Sequence, residues 1–242
     1  MKALVVGGAG HLGRLILPYL AKRMDVCVFD PKPPALKLAY VEGSALDFDR
    51  LLDACRGRDV LLYMATGPLQ DWGEPANVAA HFNANVTGLH LAMMAAHKAG
   101  IRHAVVAGTM SVYTGILDRS VRDEDVPPDA HDHYGLSKRL GEEVCRAAAR
   151  RWGMSVNVLR LFLPISTQEW QALPPHLLAT EAGDVARAIH LALEKSFGGF
   201  EAFNIAGDWN EQRVSLAKAK SLLGWEPLAR PTGEPVSLPV QA

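Results

Sequence analysis

Tyr134 and Lys138 stand four residues apart, so on a helix both side chains leave the same face. A free phenol titrates near about 10. An ammonium beside it, and a place in the first helical turn where the macrodipole is positive, both favour phenolate. Such a pair can take the proton of a carbinol as hydride leaves its carbon, or return a proton to a carbonyl. Hydride needs an acceptor, and the start of the chain has a seat for one. Gly7, Gly10 and Gly13 form G-x-x-G-x-x-G directly after the apolar run Ala3-Leu4-Val5-Val6. The first glycine permits a tight strand-to-helix turn, the second lets backbone approach a pyrophosphate, and the third lets helix and strand pack closely. Phosphates would rest on the helix N-terminus, where free N–H groups and the dipole favour anions. His11 and Leu12 lie inside this loop and count with the cofactor site, His11 as a loop residue. Asp30 ends the second apolar run, where a carboxylate can accept from adenosine ribose hydroxyls. It would meet a 2′-phosphate with like charge, so NAD is favoured over NADP. Arg14 and Lys32 are the residues that could reverse that preference.

Around these residues, short β-branched runs alternate with longer amphipathic stretches, the pattern of a parallel sheet covered by helices. Strands are predicted near 2–6, 26–30, 38–41, 59–64, 102–107, 155–160 and 202–206. Helices are predicted near 11–23, 47–56, 76–99, 134–151 and 183–195. Gly100 stands where a C-terminal glycine cap belongs. The stretch Val-Val-Ala-Gly-Thr109 reads as a strand ending in a hydroxyl. Helical spacing puts Val78, Phe82, Val86, Leu89 and Met93 on one face, and Leu136, Leu140, Val144 and Ala147 on another. Part of each face must pack on the sheet. The proline-rich tail after about 225 is expected to drape over the surface.

Bulk properties are those of an ordinary soluble enzyme. With 242 residues the chain can bury a full α/β core. Its 25 basic and 26 acidic residues nearly balance and form no basic stripe, which argues against nucleic-acid binding. Apolar runs stop well short of membrane-spanning length. The first residues suit a strand better than a signal peptide. Cys27, Cys55 and Cys145 are widely spaced and odd in number, as expected of free thiols in a reducing cytoplasm.

A longer series of motifs carries a resemblance. Besides the glycine loop these are Gly43-Ser-Ala-Leu-Asp47, Met64-Ala-Thr, Asn85-Val-Thr-Gly, Thr109-Met-Ser-Val-Tyr113, Tyr134-Gly-Leu-Ser-Lys138, Leu159-Arg160, Asp184-Val-Ala, Phe203-Asn-Ile-Ala-Gly and Leu223-Gly-Trp-Glu-Pro. In order and spacing the chain resembles the NAD-dependent epimerase/dehydratase family, the extended short-chain dehydrogenases/reductases. The resemblance implies a doubly wound parallel sheet, a Rossmann fold. It implies that Thr109 orients the reacting substrate oxygen, that Tyr134 moves the proton, and that Lys138 also holds the nicotinamide ribose. It implies cofactor contacts from Ala65, Thr66 and Gly67 after the fourth strand, and from Pro164 beside the nicotinamide. Asn85 matches a cofactor position, with a helix-surface residue as the alternative. Asp184 matches an acid whose role is structural more often than catalytic. A homodimer through the third helix and the helix after Tyr134 is expected, partly by family analogy.

Departures from the family pattern bear on the substrate. Ser44, followed by Ala45, replaces an aspartate near adenine; a hydroxyl can still accept from the adenine amine, without charge. Leu163 replaces an asparagine that commonly helps hold a substrate's nucleotide end. Met110-Ser111 replaces the Asp-Glu that expels water in 4,6-dehydratases. Only about two dozen residues separate Arg160 from Asp184, so the substrate lid is reduced. The chain is expected to be a single domain over 1–242, with a core near 1–165 and 182–206 and a lid near 166–181 and 207–242. In compactness it resembles the family's uronate dehydrogenases, which bind the sugar acid through a lid arginine. Residues 161–186 hold no Lys or Arg, only His176, so a uronate is not favoured. Met110, Ser111, His133, Gln168, Trp170 and His176 are the candidate substrate contacts. They suit a small, neutral, polyhydroxylated or keto substrate. His131-Asp-His133 could in principle bind metal, but no metal site is expected, and Asp132 suits a helix cap. The leading expectation is NAD-dependent dehydrogenation of a sugar-like alcohol. Epimerisation through a transient ketone is the alternative, and a dinucleotide-sensing protein without turnover is a rival from another class.

Overall fold

The computed structural model describes residues 1–68, 70–71, 73–116, 123–172 and 178–230. In chain order the elements are β1 (Lys2–Val6), α1 (His11–Leu20), β2 (Asp25–Asp30), β3 (Ala39–Glu42), α2 (Phe48–Cys55), β4 (Val60–Tyr63), α3 (Pro75–Phe82), α4 (Leu89–Lys98), β5 (His103–Thr109), α5 (His133–Trp152), β6 (Ser155–Leu161), β7 (Pro164–Ile165), α6 (Thr167–Ala172), β8 (Thr180–Glu181), α7 (Ala182–Glu194) and β9 (Phe200–Ile205). Seven strands pair in the order β3-β2-β1-β4-β5-β6-β9, every neighbour parallel. The order reverses between β1 and β4, and ligands of such sheets bind in the crevice outside the carboxyl ends at that point. The doubly wound sheet read from the alternating pattern is therefore present.

Buried residues form two layers because each strand sends alternate side chains to opposite faces. Val5, Val28, Leu62 and Leu159 lie on the face that packs α1 and α7. Leu4, Val6, Phe29, Leu61 and Val158 lie on the face that packs α2, α4 and α5. β6 is buried along its whole length, as a central parallel strand should be.

The predicted third helix differs in one instructive way. It is broken by a π turn at Asn83–Gly88. Tyr63 donates from its hydroxyl to the Ala84 carbonyl at 2.6 Å, and Gly88 presses against that same hydroxyl. A π turn adds a residue and rotates all that follows. The stripe read as one face is thereby divided. Leu89 and Met93 are buried, whereas Val78, Phe82 and Val86 are only half-buried. The inward face before α4 carries His81, Asn85 and Gly88 instead.

Two further corrections concern the C-terminal part. The lid region contains the short pair β7–β8 and the helix α6, none of them predicted. Of the tail expected to drape over the surface after about 225, residues 231–242 lie outside the described residues, and the stretch 225–230 is anchored through Trp225 and Asp184. Trp225 is fully buried and donates from Nε1 to the Asp184 carbonyl at 2.9 Å, while the Asp184 carboxylate accepts from the Leu228 and Ala229 amides at 2.9 Å. Asp184 is thus a structural clasp that also pairs with Arg187.

Candidate functional site

The glycine loop has the geometry its residue types demand. Gly7 has φ +84°, and a Cβ there would lie 2.4 Å from the Ala65 nitrogen. The turns after β1 and β4 are thereby pressed together at the switch point. A Cβ on Gly13 would lie 1.9 Å from the Gly8 carbonyl oxygen. Gly10 is different: a Cβ there would have only the Gly7 oxygen near it, at 3.4 Å, so backbone faces open space. α1 begins here with no side-chain cap and no acid in its first turn. Its N–H groups are left to an anion, which fits a pyrophosphate. Asp30 stands at the end of β2 beside the loop and accepts from the Ala9 amide at 3.1 Å and the Lys32 amide at 3.0 Å. Across the crevice, Ala65, Thr66 and Gly67 follow β4. The buried Thr66 hydroxyl has no hydrogen-bond partner among the described residues. Ser44 is exposed, accepts from the Leu46 amide at 3.2 Å and precedes half-buried Ala45. The uncapped N-terminus of α1, the open backbone at Gly10 and the orphaned Thr66 hydroxyl fit a dinucleotide.

β5 runs to Thr109, as the stretch Val-Val-Ala-Gly-Thr109 predicts, and so carries its hydroxyl to the carboxyl edge of the sheet. α5 starts there because Asp132 caps it, accepting from the Gly135 amide at 2.9 Å. This places Tyr134 in the first turn. The Tyr134 phenol and the Thr109 hydroxyl are hydrogen-bonded to each other. Thr109 also donates to the exposed Ser111 hydroxyl at 3.1 Å. The three expected chemical residues thus converge, with one correction. Lys138 does not acidify Tyr134 here. Its Nζ donates to the Ala107 carbonyl at 3.2 Å, and burial brings its pKa down to about 8. Burial, opposed by the Thr109 hydrogen bond, raises the Tyr134 phenol above its ordinary value. Desolvation is the largest influence on both groups, and it disfavours the charged form of each.

Asn85 is not a helix-surface residue. It is buried under α5 and donates to the Ser137 hydroxyl at 2.9 Å, which in turn donates to the Tyr134 carbonyl at 2.8 Å. Pro164 is half-buried, and its carbonyl lies 3.3 Å from exposed His11 Nε2. Leu12 is half-buried against the core. Met110 is fully buried in the core, so its side chain is not offered to a substrate. His133 is half-buried near Tyr134. Gln168 is exposed and Trp170 half-buried on α6, where hydrogen bonds from the Ser166 hydroxyl and amide hold the Glu169 carboxyl below its ordinary range. His176 lies outside the described residues. Leu163 is half exposed and has φ +36°, a strained backbone for a leucine.

Sequence reading missed several residues here. His81 is fully buried edge-on to Tyr134, with ring centroids 5.4 Å apart. Arg160 and Glu142 form a bidentate pair at 2.8 Å in both arms, both essentially without exposure, and Arg160 also binds the Tyr113 hydroxyl. Glu142 could have been found, since it stands on the Tyr134–Lys138 face one turn further along α5. His81 lacked a signal, because it belongs to no motif and only the packing of α3 against α5 turns it inward.

Among known proteins, the NAD dependent epimerase/dehydratase family description matches residues 3–182. The chain belongs to this family. It is an NAD-dependent enzyme of the extended short-chain dehydrogenase/reductase type. It is 25% identical over 245 residues to the L-arabinose 1-dehydrogenase (NAD(P)(+)) of Haloferax volcanii, covering 92% of this chain and 94% of the relative. It is 29% identical over 163 residues to protein y4nG of Sinorhizobium fredii, covering 65% of this chain but only 40% of that relative's length. MoeE5, in complex with UDP-glucuronic acid and NAD, superposes with a TM-score of 0.80 at 20% identity, over 95% of both chains. No described helix is long and apolar enough to cross a membrane.

Proposed function

We propose that this enzyme oxidises a small, neutral sugar with NAD, reversibly. The observation that carries the reading is the joined Thr109–Tyr134 pair at the sheet edge, one helical turn from Lys138 and opposite the glycine loop. Thr109 orients the substrate hydroxyl. Tyr134 accepts its proton as hydride departs from carbon. Lys138 would hold the nicotinamide ribose, and in that complex its ammonium would favour the phenolate form of Tyr134. Gly7, Gly10, Gly13, Asp30, Ser44, Thr66, Gly67, Asn85 and Pro164 form the cofactor side. The cofactor supplies the hydride acceptor. Asp30 supports NAD over NADP.

The choice of a free sugar rests on Leu163 and on the full-length likeness to an arabinose dehydrogenase. Chain length alone does not decide it, since MoeE5 is similarly compact and is solved with a nucleotide sugar. Epimerisation is the second reading, because the same residues could return hydride to the opposite face of a ketone. The half-buried apolar residues Phe82, Val86, Leu136 and Val144, with exposed Leu140, support a homodimer across α3 and α5. Three free, buried cysteines support a reducing cytoplasm. NADH formation should be followed with L-arabinose, other free aldoses, uronates and UDP-glucose. Faster net NADH from a neutral aldose is expected. Turnover of UDP-glucose alone, with no net NADH, would assign the epimerase reading.

A further inference from the structure

His81 stands near the end of α3 with its side chain wholly buried, between two parts of the site. On one side is the loop after β4. A Cβ on Gly67 would lie 2.7 Å from His81 Nδ1, so the loop backbone lies directly against the imidazole. On the other side is the start of α5. The Tyr134 ring meets His81 edge-on at 75° and 5.4 Å, and the His133 ring lies at 5.8 Å. Gly67 has to be glycine for this ring to fit.

We propose that His81 is a positioning residue, a neutral imidazole wedged between the Gly67–Pro68 cofactor loop and Tyr134, which holds the phenol in register with the bound dinucleotide. The inference rests on the proposed roles of that loop and of Tyr134. Among the described residues, the charged and titratable groups facing His81 are His133, Tyr134 and Lys138 of α5, with the capping Asp132 acting on Tyr134. The loop Met64–Pro68 contributes no titratable residue. Burial, then the His133 and Lys138 charges, oppose protonation of His81 and lower its pKa. An imidazolium here would be a second cation beside Lys138, pushing the loop and α5 apart. Seating NAD on the loop tightens the wedge, so NAD should disfavour protonation. By reciprocity, protonation should weaken NAD binding by the same factor.

The test is calorimetric NAD affinity against pH, in the wild type and in His81→Gln, which is neutral throughout. Wild-type affinity should fall between pH 7.5 and 5.5 beyond any change in the variant, towards the roughly threefold limit that a half-unit linked shift reaches well below both titration points. Equal pH dependence in the two proteins overturns the proposal. Should His81→Gln fail to fold, the His81 imidazole can be titrated by NMR in the wild type with and without NAD. An NAD-induced fall in its titration point supports the wedge, and no change overturns it. Neither readout involves a sugar. Failure to oxidise any sugar, with the NAD-linked shift intact, would therefore count against the proposed activity alone.

Discussion

Lys138 donates to the Ala107 carbonyl at 3.2 Å instead of meeting the Tyr134 phenol one turn before it. The ammonium thus sits inside α5's contact with β5, in a niche shared with Asn85, Tyr63 and Cys145. That seat has a thermodynamic consequence. The folded pKa is about 8, against 10.5 for an unfolded lysine. Between those values the unfolded state holds the extra proton, so stability rises with pH across that window. Below it, lysine is charged in both states and the full burial penalty applies. Lys138→Met should therefore stabilise the protein without NAD at pH 7 by about 2 kcal/mol. The gain should shrink towards pH 10.5. Denaturant unfolding at pH 7 and pH 10 measures it, and a Lys138→Met protein less stable than wild type at pH 7 refutes the assignment.

The same variant separates stability from chemistry. Tyr134→Phe keeps the ring against His81 and removes the oxygen bound to Thr109. Turnover should drop by about 10²–10⁴-fold, with NAD affinity almost unchanged. Thr109→Val should lower turnover and leave NAD affinity alone. Lys138→Met should harm both. Steady-state kinetics with calorimetry distinguishes the three patterns, and wild-type turnover in Tyr134→Phe rules out the proposed proton path.

Glu142 neutralises Arg160 in a region with no solvent. Removing one partner strands the other charge. Glu142→Ala should cost about 3–5 kcal/mol of stability. Replacing both residues with apolar ones should cost much less. A double-mutant cycle of unfolding free energies checks this, and additive single losses would mean that the pair is not coupled.

Asp30 already accepts two backbone amides, so its position does not depend on a ligand. NAD should bind at least about tenfold more tightly than NADP, or roughly 1.4 kcal/mol. Asp30→Ser should narrow that ratio chiefly by strengthening NADP. Unchanged selectivity in the variant would place discrimination elsewhere, with Lys32 and Arg14 the first residues to exchange.

Gly13 tests the cradle itself. A methyl there would overlap the Gly8 carbonyl, with its Cβ at 1.9 Å. Gly13→Ala should abolish measurable NAD binding while β1 and the rest of the sheet persist, as far-ultraviolet circular dichroism would report. Gly100→Ala is a contrast with nothing within 4 Å, but its φ of +91° should cost stability and not cofactor affinity.

The local features of this protein are written in its sequence. Alternating β-branched runs, glycine punctuation and helical spacing depend on neighbours a few residues away. They determined the seven-stranded parallel sheet, the dinucleotide cradle and the register of Thr109, Tyr134 and Lys138. Tertiary structure decided what depends on burial and on contacts between distant segments. Tyr63, twenty-one residues before Ala84, holds the Ala84 carbonyl within the π turn at Asn83–Gly88. Packing of this segment against α5, and no motif within it, decided that His81 and Asn85 lie inward. Burial, not proximity, set the charge states of Tyr134 and Lys138. Spacing along a helix says that two groups share a face, but the dielectric around them and the acceptor each one finds arise only when the sheet and helices close.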